Sequence, residues 1–141
     1  YTMPISDIYG LGAAMELIRD DKDLYDRHKK IAKATREAVK ASGLKLHLQS
    51  GYSDTVTVFN VPEGILADDI LDRMQKVHNI MLAGSFGELE GKVIRIGHMG
   101  ASANISDMLA VMAGLDETLK YLGWQAKGSL LEQFQKYMTN E

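Results

Sequence analysis

Apolar residues recur at helical spacing near the start of the chain, where Ile8, Leu11, Met15 and Ile18 line one side of residues 5–21 directly after Pro4. A proline suits the first turn of a helix, and this spacing predicts one. Gly10 and Gly12 interrupt it, each costing about 1 kcal/mol against alanine, so a close packing partner is expected there. Beyond Asp20, Asp21 and Asp23 a second stripe of Leu24, His28, Ile31, Thr35 and Ala38 predicts a helix to Ser42, with Gly43 as its C-terminal cap. The period then changes from 3.6 to 2. Leu44, Leu46 and Leu48 alternate with Lys45, His47 and Gln49, the pattern of a half-buried strand. Residues 55–61 are β-branched enough for a more buried strand, closed by Pro62, Glu63 and Gly64.

The second half repeats the alternation of periods. Ile70, Leu71, Met74 and Val77 point inward from a helix over 67–78; a short strand is expected over 79–83, a glycine-punctuated loop over 84–91 and a strand over 92–98. Asn104 with Asp107 three residues on reads as a capping pair opening a helix to Leu122, which Gly123 stops. Leu130, Leu131, Phe134 and Met138 form the apolar edge of a last short helix, expected to dock back or to pack on a partner. The order of elements indicates an α+β fold, one small and largely antiparallel sheet covered by helices.

With 141 residues, 45% hydrophobic and 25% charged, the chain suits one domain with a single core. A formal charge of -3 provides no basic field for a phosphate backbone, so nucleic acid is not an expected partner. The absence of cysteine excludes disulfides and thiolate metal sites. No apolar run approaches the roughly 20 residues that span a bilayer, so no membrane is expected and a cytoplasmic location fits. The opening Tyr1-Thr2-Met3-Pro4 carries no initiator methionine, which suggests a fragment or a processed product.

Chemistry concentrates in Lys92-Val93-Ile94-Arg95-Ile96-Gly97-His98-Met99-Gly100. A strand sends Ile94, Ile96 and His98 to one face and Val93, Arg95 and Gly97 to the other. Arg95 then projects from a rigid strand beside a residue without a side chain. Its planar donor fork matches a carboxylate, which suits anchoring an amino or keto acid. A structural ion pair with Glu88 or Glu90 is the other reading. His28 and His98 are read as hydrogen-bonded structural histidines, and no histidine pair has metal-ligand spacing. Asp68 and Asp69 complement a helix dipole, and the bases Arg27, Lys29, Lys30, Lys33, Arg36 and Lys40 are read as a solvated helix face. Gly84-Ser85-Phe86-Gly87 matches neither nucleotide fingerprint.

Taken together, Tyr1-Thr2-Met3-Pro4-Ile5-Ser6, Thr55-Val56-Thr57-Val58 with Val61-Pro62-Glu63-Gly64, Ala83-Gly84-Ser85-Phe86-Gly87 and the stretch from Gly91 to Gly100 resemble one family. This is the alanine–glyoxylate and serine–pyruvate branch of the class V, fold-type I pyridoxal-phosphate aminotransferases, which also includes proteins labelled soluble hydrogenase small subunits. The similarity runs in order from residue 1 to about residue 122. It implies that residues 1–141 are the C-terminal small domain: 1–4 a lead-in from a large domain, 5–122 the α+β core, and 123–141 a helical tail. The cofactor lysine and most phosphate ligands would lie in the missing N-terminal large domain, so no catalytic residue is expected in this chain, which alone would be inactive and bind no cofactor. The resemblance gives Arg95 the substrate carboxylate, and Thr2 the cofactor phosphate of the neighbouring subunit of a homodimer. It implies transfer of the amino group of alanine or serine to glyoxylate or pyruvate. One position departs from the pattern, since Ser85 stands where the family usually has a second glycine. The competing class is a non-catalytic carboxylate-binding or dimerisation module built on the same arginine.

Overall fold

The computed structural model describes residues 2–139, so Tyr1, Asn140 and Glu141 lie outside the described residues. Five α-helices and two strands follow in the order α1 (Ile5–Asp20), α2 (Leu24–Ser42), β1 (Val56–Asn60), α3 (Ala67–His78), β2 (Val93–Gly97), α4 (Ile105–Tyr121) and α5 (Leu130–Thr139). The α+β class expected from the sequence is observed: β1 and β2 pair antiparallel, and helices cover the sheet.

The helices end where their local chemistry says they should. Gly43 closes α2 in the left-handed conformation at φ 94°, with its N–H donating to the Lys40 carbonyl. Asn104 caps α4 by accepting from the Asp107 N–H at 2.8 Å. The cap of α5 comes from another element. Asp116 on α4 accepts the Leu130 N–H at 2.8 Å, the Leu131 N–H at 3.0 Å and the Ser129 hydroxyl at 2.6 Å. One carboxylate therefore satisfies donors that the first turn of a helix leaves unpaired.

Ile31 of α2, Phe59 of β1, Ile94 and Ile96 of β2, Met112 of α4 and Phe134 of α5 are fully buried in one core. The last helix docks back onto α2 and α4. Its apolar edge, Leu130 and Phe134, explains that placement. α3 and α4 approach closely at Gly114, where a β-carbon would sit 3.1 Å from Met74 Cε.

Two expected strands do not form. Leu44 and Leu46 are buried as their alternation implied, but Leu48 is 48% exposed and the segment makes only an isolated bridge from Leu46 to Phe59. Residues 79–83 likewise contribute a single bridge, Ala83 to Arg95. Alternation provides a buried face, but a ladder needs a neighbour running alongside for several residues. Both segments diverge after one pairing.

The helix over 5–20 forms as expected, yet none of its residues is buried. Gly10 and Gly12 meet nothing within 4 Å, so no close packing partner for them lies among the described residues.

Candidate functional site

β2 is flanked on both sides at one residue. Val58 of β1 lies opposite Arg95, and on the other edge Arg95 exchanges two backbone hydrogen bonds with Ala83, its N–H donating at 2.7 Å and its carbonyl accepting at 3.3 Å. Ile94, Ile96 and His98 turn into the core, as the strand period required. Val93 is buried as well, while Gly97 is exposed and Arg95 half-buried.

Among the described residues the guanidinium of Arg95 has one hydrogen-bond partner. Its Nε donates to the Gly84 carbonyl at 2.6 Å, and no carboxylate lies within ion-pair distance among the described residues. The structural ion pair with Glu88 or Glu90 is thus not formed there. A cation that is placed by the backbone and has two terminal nitrogens without a described partner can receive an anion without first breaking a salt bridge. Phe86, in the loop that follows Gly84, is 82% exposed.

Behind this face two histidines hold the end of β2. His98 is fully buried, its Nε2 is 2.9 Å from the Thr57 hydroxyl, and its backbone N–H donates to the Thr55 carbonyl. Its Nδ1 has no hydrogen-bond partner among the described residues. Burial pushes the imidazole below its ordinary value of 6.5; the backbone of His98 itself and of Asp54 opposes this, and the charge of Arg36 adds to it to a smaller extent. His28 on α2 places Nδ1 2.6 Å from the Leu24 carbonyl and accepts the Gly100 N–H on Nε2 at 3.1 Å. That pair of partners selects the neutral tautomer protonated on Nδ1. Both histidines are hydrogen-bonded within the fold.

α2 itself is anchored by Arg27, which donates from Nη1 to Asp21 at 2.9 Å and from Nε to the Ala103 carbonyl at 3.0 Å. The guanidinium holds the Asp21 carboxyl below its ordinary value. A cavity of about 530 Å³ opens beside the start of α2, between Leu24, His28 and Met99, and Arg95 is not among its walls.

Thr2 lies in the segment ahead of α1 and is exposed. No hydrogen bond among the described residues joins Thr2 to Arg95 or to the rest of β2. Among the described residues no cluster of histidine, cysteine or carboxylate side chains could hold a metal ion, and no helix is long and apolar enough to cross a membrane. Sequence reasoning missed the Gly84 carbonyl, because a backbone acceptor 11 residues away from Arg95 carries no residue signature.

No family model matches the chain. It is 38% identical over 128 residues to the serine–glyoxylate aminotransferase of Arabidopsis thaliana, covering 88% of this chain and 32% of that protein. It is 33% identical over 144 residues to an uncharacterized aminotransferase of Methanocaldococcus jannaschii, covering 100% of this chain and 37% of the relative. A soluble hydrogenase small subunit of a Synechococcus strain is 31% identical over 126 residues, covering 88% of this chain and 33% of that protein. Among solved structures, a pyridoxamine–pyruvate aminotransferase from Mesorhizobium loti superposes with a TM-score of 0.88 at 27% identity, over 98% of this chain and 36% of that one. A ureidoglycine–glyoxylate aminotransferase from Bacillus subtilis gives 0.82 at 30% identity, over 92% and 34%. The chain spans about a third of the length of the relatives it matches.

Proposed function

We propose that the chain belongs to the class V aminotransferases and is their C-terminal small domain, supplying the arginine that holds the substrate carboxylate. The supporting observation is the state of Arg95. It stands mid-strand between two buried isoleucines, its Nε is engaged by a main-chain carbonyl, and it has no carboxylate partner among the described residues.

The activity of the whole protein is transamination, from an L-amino acid such as alanine or serine to glyoxylate or pyruvate. Pyridoxal phosphate, when bound, supplies the electron sink for that chemistry. The fit of this chain to the cofactor is partial and one-sided. Thr2 offers an exposed hydroxyl suited to the phosphate of a neighbouring subunit, while no lysine is among the buried polar residues. We assign the cofactor lysine to the rest of the protein, the working unit to a homodimer and its location to the cytoplasm, with residues 1–4 leading in, 5–122 forming the domain and 123–141 its tail. The 141 residues by themselves would not catalyse transfer.

The contribution of Arg95 is binding and orientation. Two guanidinium donors fix the acid end of the substrate, which sets how the Cα–H bond stands to the reacting plane. Removing a paired buried charge costs about 2 to 4 kcal/mol, which converts to roughly 30- to 900-fold in kcat/KM. Steady-state kinetics of Arg95→Ala in the full-length protein should show a loss of that size with a raised KM. Unchanged kinetics with either substrate would remove Arg95 from the site.

A further inference from the structure

A guanidinium can grip a carboxylate in two ways. The acid meets either the end fork, Nη1–H with Nη2–H, or the side fork, Nε–H with one Nη–H. In this fold the choice has already been made. The Gly84 carbonyl takes the Nε–H of Arg95 at 2.6 Å, so the side fork has lost one of its two donors. An acid approaching that edge would also bring a negative oxygen against the carbonyl oxygen, a repulsive contact.

The carbonyl is not free to move aside. Ala83, the residue before it, is bridged to Arg95 itself by two main-chain hydrogen bonds, at 2.7 and 3.3 Å. The segment carrying the acceptor and the strand carrying the arginine are therefore one unit. Behind the segment lies α3, since a β-carbon at Gly84 would stand 3.4 Å from Leu71 Cδ1. No described side chain engages the two Nη atoms, so the end fork remains open.

We propose that Gly84 is a positioning residue whose main-chain carbonyl commits Arg95 to end-on capture of a monocarboxylate through Nη1 and Nη2. The inference rests on the substrate-binding role proposed above for Arg95 and adds the direction from which the acid arrives. It also gives residues 79–83, where the expected strand does not form, a function. Their one bridge is placed where it orients the arginine.

The test is a proton–nitrogen spectrum of the arginine side chains in the full-length protein, labelled with ¹⁵N-arginine and recorded with and without pyruvate, Arg95→Lys supplying the assignment. The Arg95 Nε–H should exchange with solvent at least roughly tenfold more slowly than in free arginine, and pyruvate should shift the Nη resonances while the Nε–H keeps its position. An Nε–H that exchanges freely, or that pyruvate displaces, overturns end-on capture while leaving Arg95 as the acid's partner. A protected Nε–H with Nη resonances indifferent to pyruvate refutes the substrate role itself.

Discussion

Asp116 is the strongest single test of how the domain is held together, because one side chain on α4 builds the start of α5. In Asp116→Ala three hydrogen bonds to the carboxylate disappear, from the N–H groups of Leu130 and Leu131 and from the Ser129 hydroxyl. Loss of a helix N-cap costs about 1 kcal/mol, and loss of a negative charge at a helix N-terminus roughly 0.3 to 1 kcal/mol. Leu130 is fully buried, so leaving its N–H unpaired adds about 1 kcal/mol. The sum, about 2 to 3 kcal/mol, corresponds to a fall of roughly 1 to 2 M in the urea midpoint for a domain of this size. Trp124, the one tryptophan of the chain, packs against the core in the connection between α4 and α5, so its fluorescence reports on this junction. Asp116→Asn keeps one acceptor oxygen and should recover about half of the loss. A decrease below about 0.5 kcal/mol in Asp116→Ala would mean that the docking of Leu130 and Phe134 sets the position of α5 without the cap.

Two further outcomes concern pH. His98 is buried and its folded-state value lies below the ordinary 6.5, so below pH 6.5 the unfolded chain takes up a proton that the native state refuses. Stability should fall as pH drops from 6.5 towards that folded value, with a slope of at most about 1.4 kcal/mol per pH unit; His98→Gln should flatten this limb in urea titrations between pH 7.5 and 5.5, and an unchanged slope would locate the effect elsewhere. Glu117 is held below its ordinary 4.5 by hydrogen bonds from Arg73 and His78, so its contribution is present above 4.5 and is lost as pH falls through the depressed value. The cluster is half-exposed at Glu117, and Glu117→Gln should therefore cost less than about 1 kcal/mol at pH 7 and reduce the loss of stability below pH 4.5. A larger neutral-pH cost would show that Arg73, stacked 3.5 Å above the Tyr121 ring, depends on Glu117 for its position.

The helices were legible because a stripe at helical spacing and a local cap are both written in neighbouring residues. Gly43, Asn104 with Asp107, and the inward row of Ile70 and Met74 each carried its own signal. What covers a helix is not written that way. The spacing of Ile8, Leu11, Met15 and Ile18 gave a helix correctly, but all four are exposed, at 51, 62, 61 and 55%. A helix apolar around much of its circumference normally lies inside a larger body. Alternation at 44–48 found the buried Leu44 and Leu46 but not the length of the pairing, which depends on a neighbour far along the chain. The same distinction divides the site. The mid-strand position of Arg95 follows from the two isoleucines beside it, whereas its fixing by Gly84 and the capping of α5 by Asp116 are tertiary contacts with no local pattern.

The central claim is that Arg95 binds an acid group, and exchanging the acid for its amide tests it most directly. Transamination of L-alanine and of L-alaninamide would be compared in the full-length wild type and in Arg95→Ala, giving a double-mutant cycle between the guanidinium and the carboxylate. The expected result is a loss of roughly 30- to 900-fold for the acid and less than about threefold for the amide, a coupling of about 1.4 to 4 kcal/mol. Equal losses for both substrates would show that the arginine supports the fold or the cofactor pocket and never meets the carboxylate.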